Sequence, residues 1–392
     1  MACDRDPIDE LAEEFVELWR RGEYPSVASW AHAHPAHADT IQRLFPTLIA
    51  IECLKSPLLP QSPACVCHGD NLPERIGDCR IVREIGRGGM GVVYEAVQEP
   101  PGRRVAVKVL PTWIAPNKRH LQRFLRESRN TAKLHHPHIV SVYGAGNEKG
   151  TPYFVMQYIP GVGLDEVLEA MRDRRNFGDD ADPAPSSTDQ PFPSNRASSD
   201  LLEVIVNRWW CDSIQGESHR GGMSWRSAAR VAIQVADALH YAHGKKIIHR
   251  DVKPGNLLID NTGAPWVTDF GLAKSLSASG SCSGGDIVGT MRYMAPEQFR
   301  GECDARCDVY SLGITLYEML TLRPAFAASD VIDLVRAVTN STPCLPSLVQ
   351  PDIPPELEAI VMKAAARDPQ RRHSSAMVLA NELRHVFRKC KY

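Results

Sequence analysis

Three polar residues that suit phosphoryl chemistry lie close together in the segment IIHRDVKPGN, residues 247–256. The segment places a carboxylate at Asp251, an amine at Lys253 and an amide at Asn256. Transfer of a phosphoryl group needs a carboxylate that orients the attacking hydroxyl and accepts its proton. It also needs oxygen ligands for Mg²⁺ and positive charge beside the transferred group. Asp251, Lys253 and Asn256 are residue types suited to this chemistry, and they lie in one short loop.

A second carboxylate lies in the tripeptide DFG, residues 269–271, thirteen residues after Asn256. Mg²⁺ prefers carboxylate and phosphate oxygens as ligands, so Asp269 would complete a metal site with Asn256. A DFG tripeptide is common by itself. Here, however, DFG follows the 247–256 segment and precedes APE at residues 295–297. Three such segments in this order are unlikely to occur by chance.

A glycine-rich segment, GRGGMGVV at residues 86–93, lies between two predicted strands. Glycine lets backbone N–H groups approach phosphate oxygens because no Cβ stands in the way. A plain glycine-rich hairpin and a dinucleotide-binding turn are the alternatives. A dinucleotide fingerprint joins a strand to a helix, whereas here a second strand carrying Val93 follows, which argues against the dinucleotide site.

Lys108 ends the apolar run VAVK, residues 105–108, on a predicted strand. A lysine in such a strand is costly unless its amine reaches a partner, and a phosphate pair or a helix carboxylate would serve. Glu127 is the single acidic residue between Lys108 and Leu134, so it is the expected partner if that partner lies on the following helix. The alternative is an edge-strand lysine in solvent.

The elements that must position these groups fall into three parts. Residues 1–56 predict a helical module, residues 57–75 a proline-rich linker, and residues 76–388 a larger domain. The first predicted helix has apolar residues at helical spacing, namely Ile8, Leu11, Phe15, Leu18 and Trp19. Two further short helices are predicted as far as Ile51. The apolar faces of this module could pack on each other, on the next domain or on a partner.

The larger domain begins with short segments that predict strands, with one helix over residues 118–134 among them. These strands are predicted over residues 81–85, 91–97, 104–110, 140–143 and 153–158. Residues 176–224 are interpreted as a low-complexity insertion, because 176–200 are rich in Asp, Pro and Ser. Its later part is less clear, and Trp209 and Trp210 would dock it on the surface. The chain after the insertion is predicted to be mostly helical.

Composition excludes some classes of function. The 392 residues carry a formal net charge of −2, whereas a nucleic-acid-binding protein needs a basic excess. No apolar run approaches the ~20 residues of a membrane span, so a cytoplasmic protein without a membrane span is expected. The eleven cysteines are an odd number spread across the chain. This argues against a disulfide framework and indicates a reducing compartment. The segment CVCH at residues 65–68 could suggest zinc, but free thiols are expected there and at Cys303 and Cys307.

Together these motifs resemble the eukaryotic-like (Hanks-type) serine/threonine protein kinases, particularly their bacterial branch. The resemblance covers residues 79–388. It implies an α+β, bilobal fold with a small β-rich lobe that has one helix and a larger, mainly helical lobe. The helical module at the amino terminus would be an addition to that fold. ATP and Mg²⁺ are the implied cofactors, with Mn²⁺ as an alternative ion, and protein substrates are the implied partners.

The resemblance assigns roles to the residues above. Asp251 would be the catalytic base and Lys253 would contact the γ-phosphate. Lys108, held by Glu127, would bind the α- and β-phosphates. Asn256 and Asp269 would bind the metal. The residues expected to line the ATP site are Ile85, Gly86, Gly88, Gly89, Gly91, Val93, Ala106, Lys108, the gatekeeper Met156 and the hinge residue Tyr158.

The resemblance also implies support and regulation. Asp308 would brace the catalytic loop, and Arg372 would pair with Glu297. Arg250 would receive a phosphate from the activation segment, whose candidate acceptors are Ser277, Ser279, Ser281, Ser283 and Thr290. The serine cluster is favoured, because Thr290 has a competing structural role beside Asp251. A flexible serine-rich loop without phosphorylation is the alternative.

Lys253 and Thr290 belong to the serine/threonine versions of their motifs, which favours a serine or threonine acceptor. A scaffold of this fold without turnover is the main rival function. A small-molecule kinase is a second rival, although such enzymes usually lack the glycine-rich and APE segments. Residues 1–56 could in addition bind a partner or another copy of the chain.

Overall fold

The computed structural model describes residues 7–20, 27–38, 40–41, 45, 72–88, 91–110, 122, 125–126, 128, 131–177, 196–214, 223–270, 289–328 and 330–389. The strands are β1 (Arg75–Ile76), β2 (Cys79–Gly88), β3 (Gly91–Gln98), β4 (Arg103–Val109), β5 (Val142–Glu148), β6 (Thr151–Gln157), β7 (Gly161–Gly163), β8 (Leu257–Asp260) and β9 (Pro265–Val267). The helices are α1 (Pro7–Arg20), α2 (Val27–Ala33), α3 (Leu164–Phe177), α4 (Arg196–Ile214), α5 (Trp225–Gly244), α6 (Ala305–Thr321), α7 (Val331–Asn340), α8 (Pro346–Val349), α9 (Pro355–Ala364) and α10 (Ala376–Lys389).

The first six strands form one antiparallel sheet in the order β1-β2-β3-β4-β6-β5. Its central strand β4 is buried on both faces over residues 105–108. Val105 and Val107 are fully buried in the core of this lobe with Tyr94, Ala96 and Val155. Because side chains alternate along a strand, Ala106 and Lys108 lie on the opposite face.

Helices α5 and α6 form the centre of the larger lobe. Asp304 caps α6 by accepting a hydrogen bond from the Arg306 amide, and almost every residue of this helix is buried. A helix that is apolar all round must lie inside a protein. Helix α5 packs on both α6 and α10, and the side chain of Ser224 caps its start. The small antiparallel sheet β7-β8-β9 lies against this core and presents the loop between α5 and β8.

The interpretation of residues 176–224 as a low-complexity insertion does not hold for residues 196–214. Residues 196–214 form helix α4, and Ile205, Val206 and Trp209 are buried in the main core of the larger lobe. Trp209 is thus a core residue rather than a surface dock. Burial of large apolar side chains, which outweighs local composition, explains the difference. Residues 178–195 lie outside the described part of the chain.

The amino-terminal module has a small core of its own. Phe15 and Phe45 are fully buried, with ring centroids 4.8 Å apart, and Trp30 packs edge-on against Phe15. Ile332 of α7 also packs against this cluster, so the module rests on the larger lobe. The second predicted helix corresponds to α2. Most of the third predicted helix, like most of residues 118–134, falls outside the described residues.

Within the described residues, no helix combines the length and the apolar character that a membrane span requires.

Candidate active site

Asp251 and Asn256 meet in the loop between α5 and β8. The Asn256 amide nitrogen donates to Asp251 Oδ2 at 2.9 Å and to the backbone oxygen of the same residue at 2.7 Å. A 3₁₀ turn, Pro254–Asn256, folds the amide back over the carboxylate. Both residues are at least nine-tenths buried. Because the amide nitrogen makes both contacts, its oxygen Oδ1 is the atom left to accept from, or coordinate, a ligand.

Lys253 joins this carboxylate to the segment that ends in APE. Its Nζ lies 3.1 Å from Asp251 Oδ2 and donates to Thr290 Oγ1 at 2.6 Å. Thr290 therefore lies beside the Lys253–Asp251 pair, where the sequence predicted a structural role for it. The three side chains form one polar chain that leads from the loop to residues 289–297.

Asp308, in the first turn of α6, holds the backbone of the loop. Its two carboxylate oxygens accept hydrogen bonds from the amides of His249 at 2.9 Å and Arg250 at 2.7 Å. The ring nitrogen Nε2 of His243 contacts it at 2.7 Å. The side chain of Asp308 is fully buried, so its charge needs these donors. Arg250 adopts a left-handed backbone conformation, with φ of 72°, which is uncommon outside glycine and turns the chain toward Asp251.

His249 connects the loop to the segment that carries Asp269. Its ring is fully buried. Its Nε2 donates to the backbone oxygen of Thr268 at 2.7 Å, and its Nδ1 accepts from the Asp251 amide at 3.2 Å. The Thr268 amide in turn donates to the backbone oxygen of Asn256 at 3.0 Å. These contacts place Asp269, the next residue after Thr268, next to the loop.

Lys108 and Asp269 form an ion pair at this junction. Lys108 Nζ lies 2.7 Å from Asp269 Oδ2, and the side chains are 8% and 14% exposed. The lysine comes from the small-lobe sheet, whereas the aspartate follows β9. Asp269 has a positive φ of 60°, so the backbone turns sharply at the point where its carboxylate meets Lys108. Glu127, the partner expected from sequence, lies outside the described residues.

Several of the predicted ATP-lining residues lie on the same face of the small-lobe sheet. Val93 pairs with Lys108 across β3 and β4, and Ala106 pairs with Met156 across β4 and β6. Cross-strand partners point to the same face of a sheet. Val93, Ala106, Lys108 and Met156 therefore share the face opposite the core.

The remaining predicted ATP-lining residues lie nearer the edge of this face. Ile85 is 37% exposed and lies at a register irregularity in β2, next to Gly86. The Tyr158 hydroxyl accepts from Arg83 at 3.3 Å, and Arg104 stacks over its ring at 4.5 Å. The Tyr158 side chain therefore belongs to an arginine cluster. Gly89 lies outside the described residues.

Glycine is explained in two different ways in the hairpin formed by β2 and β3. Gly91 has a φ of +119°, and a Cβ there would lie 2.0 Å from the Val109 backbone oxygen, so the fold itself demands glycine. A Cβ on Gly86 would make only an ordinary contact with Val93, and one on Gly88 would meet none of the described atoms within 4 Å. Packing within the described chain does not explain these two glycines, whereas close approach of a phosphate would.

Glu297 and Arg372 form a bidentate pair, with N–O distances of 2.6 and 2.7 Å. The Cys307 thiol adds a third hydrogen bond to Glu297 Oε1 at 3.2 Å. Burial alone would raise the pKa of Glu297, but the hydrogen bonds and charge of Arg372 outweigh it and lower that pKa. Charge-assisted bidentate pairs are strong and geometrically specific, so this pair anchors the end of the segment 289–297 to the larger lobe.

The donor set fits a magnesium nucleotide. Asp269 and Asn256 each offer an oxygen, and Mg²⁺ usually takes only one or two protein ligands when substrate phosphates supply others. Lys108 offers a positive charge on the same side, and Gly86 and Gly88 leave room for phosphate. Within the described residues there is no group of three or more His, Cys, Asp or Glu side chains of the kind that forms an all-protein metal site.

Three residues to which the sequence analysis gave no role at this site take part in it. They are His243 on Asp308, Cys307 on Glu297, and Gln298, whose side chain donates to the Arg250 backbone oxygen at 3.1 Å and accepts from the Ala295 amide at 2.8 Å. Gln298 directly follows APE, so its position beside this motif could have identified it from the sequence. His243 ends α5 and belongs to no motif, so only the tertiary fold identifies it.

Comparisons with known proteins agree with this geometry. Residues 79–381 match the family model described as protein tyrosine and serine/threonine kinase. The serine/threonine-protein kinase PknB of Mycolicibacterium smegmatis is 34% identical over 322 residues, which are 80% of this chain and 44% of that protein. The probable serine/threonine-protein kinase SCO3848 of Streptomyces coelicolor is 34% identical over 299 residues, which are 74% of this chain and 37% of that protein. The chain thus spans less than half the length of these curated relatives.

A solved structure supports the fold. The crystal structure of the Mycobacterium tuberculosis PknI kinase domain superposes with a TM-score of 0.55 at 23% identity, covering 80% of this chain and 99% of that domain. The predicted bilobal α+β fold is confirmed. From the family match over most of its length and from its bacterial relatives, the chain belongs to the protein kinases, in the Hanks-type serine/threonine branch found in bacteria.

Proposed function

We propose that this protein is an ATP- and Mg²⁺-dependent protein kinase that transfers the γ-phosphoryl group to serine or threonine hydroxyls of proteins. The main support is the Lys108–Asp269 ion pair at 2.7 Å, which joins residues 161 positions apart. It lies beside Asp251, Lys253 and Asn256, which are joined to one another by hydrogen bonds and an ion pair. This set comprises two amines, two carboxylates and an amide from three separate segments, the kinds of group that phosphoryl transfer would use.

Asp251 is the proposed catalytic base. Its Oδ2 is occupied by the Asn256 amide and Lys253, so Oδ1 is the atom that would accept the proton of the attacking hydroxyl. Lys253 Nζ would stand where negative charge develops on the transferred group. Lys108 would hold the α- and β-phosphates.

Asn256 Oδ1 and the Asp269 carboxylate are the proposed metal ligands. A bound Mg²⁺ neutralises phosphate charge and orients the transferred group, and Mn²⁺ accepts the same oxygen ligands. The protein's own part is to hold both oxygens in place, through the Asn256–Asp251 contacts and the Asp269–Lys108 pair.

Autophosphorylation of the activation segment is part of the proposal. Arg250 Nε is buried, and it has no hydrogen-bond partner among the described residues. A phosphate from that segment would supply one and would add close to two negative charges. The favoured acceptors, Ser277 to Ser283, lie outside the described residues, whereas Thr290 is held by Lys253.

Phosphate incorporation from radiolabelled ATP into a generic protein substrate tests the proposal. We expect Asp251→Asn to lose at least ~100-fold, because general-base catalysis contributes about that much or more. Asp200→Asn, an exposed position on α4, is the matched control and should retain activity. Equal incorporation by wild type and Asp251→Asn would instead favour the scaffold.

The remaining proposals concern the setting of the enzyme. ATP and protein substrates are the proposed partners, nucleic acid is not, and the cytoplasm is the proposed compartment. The module of residues 1–56 is proposed to brace the larger lobe within one chain, because its core packs on Ile332. Self-association through this module is the alternative.

A further inference from the structure

Glu318 of α6 connects the segment 289–297 to helix α3. The Tyr293 hydroxyl and the Arg172 guanidinium each donate to one of its two carboxylate oxygens. The Glu318 side chain is 8% exposed, whereas that of Arg172 is 31% exposed. Arg172 also donates from Nε to the Leu322 backbone oxygen at 2.9 Å. Its guanidinium therefore lies at the end of α6, one carboxylate away from Tyr293.

Two more arginines lie at the same end of α6. Arg175, about one turn further along α3, donates to the Thr321 backbone oxygen at 3.2 Å. Arg323 directly follows Leu322, and it is exposed. Its amide donates to Thr321 Oγ1 at 3.1 Å. Burial, and then the charges of Arg323 and Arg172, lower the pKa of Arg175, as expected where cations lie close together.

Capping of the helix explains only part of this positive charge. The carbonyl oxygens at a helix end attract cations but carry only partial charges. Among the described residues, Glu318 is the carboxylate that forms an ion pair with one of these arginines. Glu169 and Asp173 are exposed on α3, and neither forms an ion pair with Arg175 or Arg323. An excess of positive charge is therefore left at this surface.

The segment 289–297 contributes a further arginine. Arg292 precedes Tyr293, and its Nε is buried without a hydrogen-bond partner among the described residues. Burial and Glu318 raise the pKa of the Tyr293 hydroxyl, and the charges of Arg172 and Arg292 act against that rise. The name arginine patch is used below for Arg172, Arg175, Arg292 and Arg323.

The arginine patch lies close to the proposed catalytic base. The Tyr293 amide donates to the Thr290 backbone oxygen at 3.2 Å, which closes a tight turn. Thr290 Oγ1 in turn accepts from Lys253, whose Nζ pairs with Asp251. An extended peptide covers about 3.3 Å per residue, so side chains within about five positions of an acceptor hydroxyl at Asp251 can reach the patch.

We propose that the arginine patch is a substrate-binding subsite that selects proteins with anionic side chains within about five residues of the phosphorylated hydroxyl. Aspartate and glutamate carboxylates are the expected ligands, and a phosphorylated side chain offers the same chemistry, because guanidinium groups bind both. Complementary charge gives specificity and faster encounter. The proposal rests on the proposed function, because it names the substrate class of that activity.

Peptide phosphorylation by the full chain tests the subsite. Each peptide has one serine acceptor, flanked on both sides by glutamates, alanines or lysines. We expect kcat/KM to be about 10-fold higher for the glutamate peptide than for the alanine peptide, because several partly exposed ion pairs each contribute modestly. The difference should lie in the KM for peptide, not in the KM for ATP, and high salt should reduce it. A glutamate peptide that is no better than the other two would overturn the proposal.

A fourth peptide identifies the preferred anion. It carries phosphoserines in place of the glutamates, with a threonine as its one free acceptor. A higher kcat/KM than for the glutamate peptide would support phosphate as the better ligand, and a lower one would support carboxylate.

Variants of the exposed part of the patch assign the effect to it. Arg323→Glu should abolish the preference for the glutamate peptide and favour the lysine peptide. Arg175→Gln should lower the preference for glutamate about 3-fold. Arg174→Gln is the matched control on the same helix, because Arg174 donates to Asn207 of α4 at 2.6 Å, and it should keep that preference. An equal loss in the control and in the patch variants would overturn the assignment.

Binding measurements distinguish failure of the subsite from failure of the proposed function. Fluorescence anisotropy of the labelled peptides measures their affinity for the full chain without phosphoryl transfer. Tighter binding of the glutamate peptide, with no phosphate incorporated into any peptide, would refute the proposed function and support the subsite. Phosphorylation of all the peptides, with equal affinities, would refute the subsite and support the proposed function.

Discussion

Lys108 Nζ lies 2.7 Å from Asp269 Oδ2, across 161 residues of sequence. The lysine extends from the centre of the small-lobe sheet and the aspartate follows β9, so the pair connects the two lobes. A buried ion pair contributes little net stability, because desolvation of both charges offsets their attraction. Its presence is better explained by the phosphates and metal that the same two side chains are proposed to bind.

We predict that activity and stability respond differently when this pair is changed. Lys108→Met or Asp269→Asn alone should lower phosphate incorporation at least ~100-fold. Each should also lower the free energy of unfolding by about 3 kcal/mol, because one charge stays buried without its partner. The double variant removes both charges, so its stability should recover while its activity does not. Urea unfolding and radiolabel incorporation measure the two effects, and recovery of activity in the double variant would contradict the assigned roles.

A second prediction concerns the Glu297–Arg372 pair and pH. The folded-state pKa of Glu297 is lowered, so its contribution to stability is present above the unfolded-state pKa of about 4.3. That contribution is lost as the pH falls through the folded-state value. Wild type should therefore unfold at higher urea than Glu297→Gln at pH 7, and the difference should narrow below about pH 4.

Unfolding midpoints measured across this pH range check the prediction. Glu356→Gln is the matched control, because Glu356 pairs with Lys389 at 2.9 Å on the surface, where both side chains are about half exposed. Exposed pairs contribute little, so this variant should differ much less from wild type at any pH. A Glu297→Gln effect that does not change with pH would mean that the carboxylate charge is not what stabilises the anchor.

Helix α4 provides a third prediction, about the part of the chain where sequence and structure disagree. Trp209 is 3% exposed and Val204, on the same helix, is 53% exposed. Trp209→Ala should cost about 3–5 kcal/mol of unfolding free energy through the cavity it leaves, whereas Val204→Ala should stay within about 0.5 kcal/mol. Similar urea midpoints for the two variants would show that α4 does not belong to the core.

The contact between Ile332 and the amino-terminal module provides a fourth prediction. A charge placed there by Ile332→Asp would be buried against Phe15 and its neighbours, which is unfavourable. Hydrogen exchange followed by mass spectrometry should then show faster exchange in α1 and α2. Leu348→Asp, at a position that is 73% exposed, is the control and should leave that exchange unchanged. Unchanged exchange in Ile332→Asp would favour a module that binds elsewhere, including to a second copy.

Local sequence predicted β2, β3, β4 and β6 to within three residues at each end, whereas β5 ends five residues later than predicted. The alternation in VAVK is a property of the strand itself, and the 3₁₀ turn that joins Asp251 to Asn256 is formed within five residues. Short-range geometry of this kind needs no knowledge of the rest of the chain. Helix α4 was missed because it follows the stretch rich in Asp, Pro and Ser and was interpreted together with it, while its stability comes from Ile205 and Trp209 packing in the core of the larger lobe.

The sequence by itself determined which groups are present for phosphoryl transfer, because Asp251, Lys253 and Asn256 come from one short loop and their types define the chemistry. Only the tertiary structure decided what surrounds them. The contacts of Asp269 with Lys108, of His243 with Asp308, and of Cys307 with Glu297 each join separate elements of the chain. Such pairings depend on how α5, α6 and the two sheets pack. Packing energy is shared among many residues, and the local sequence around a residue does not identify its long-range contact.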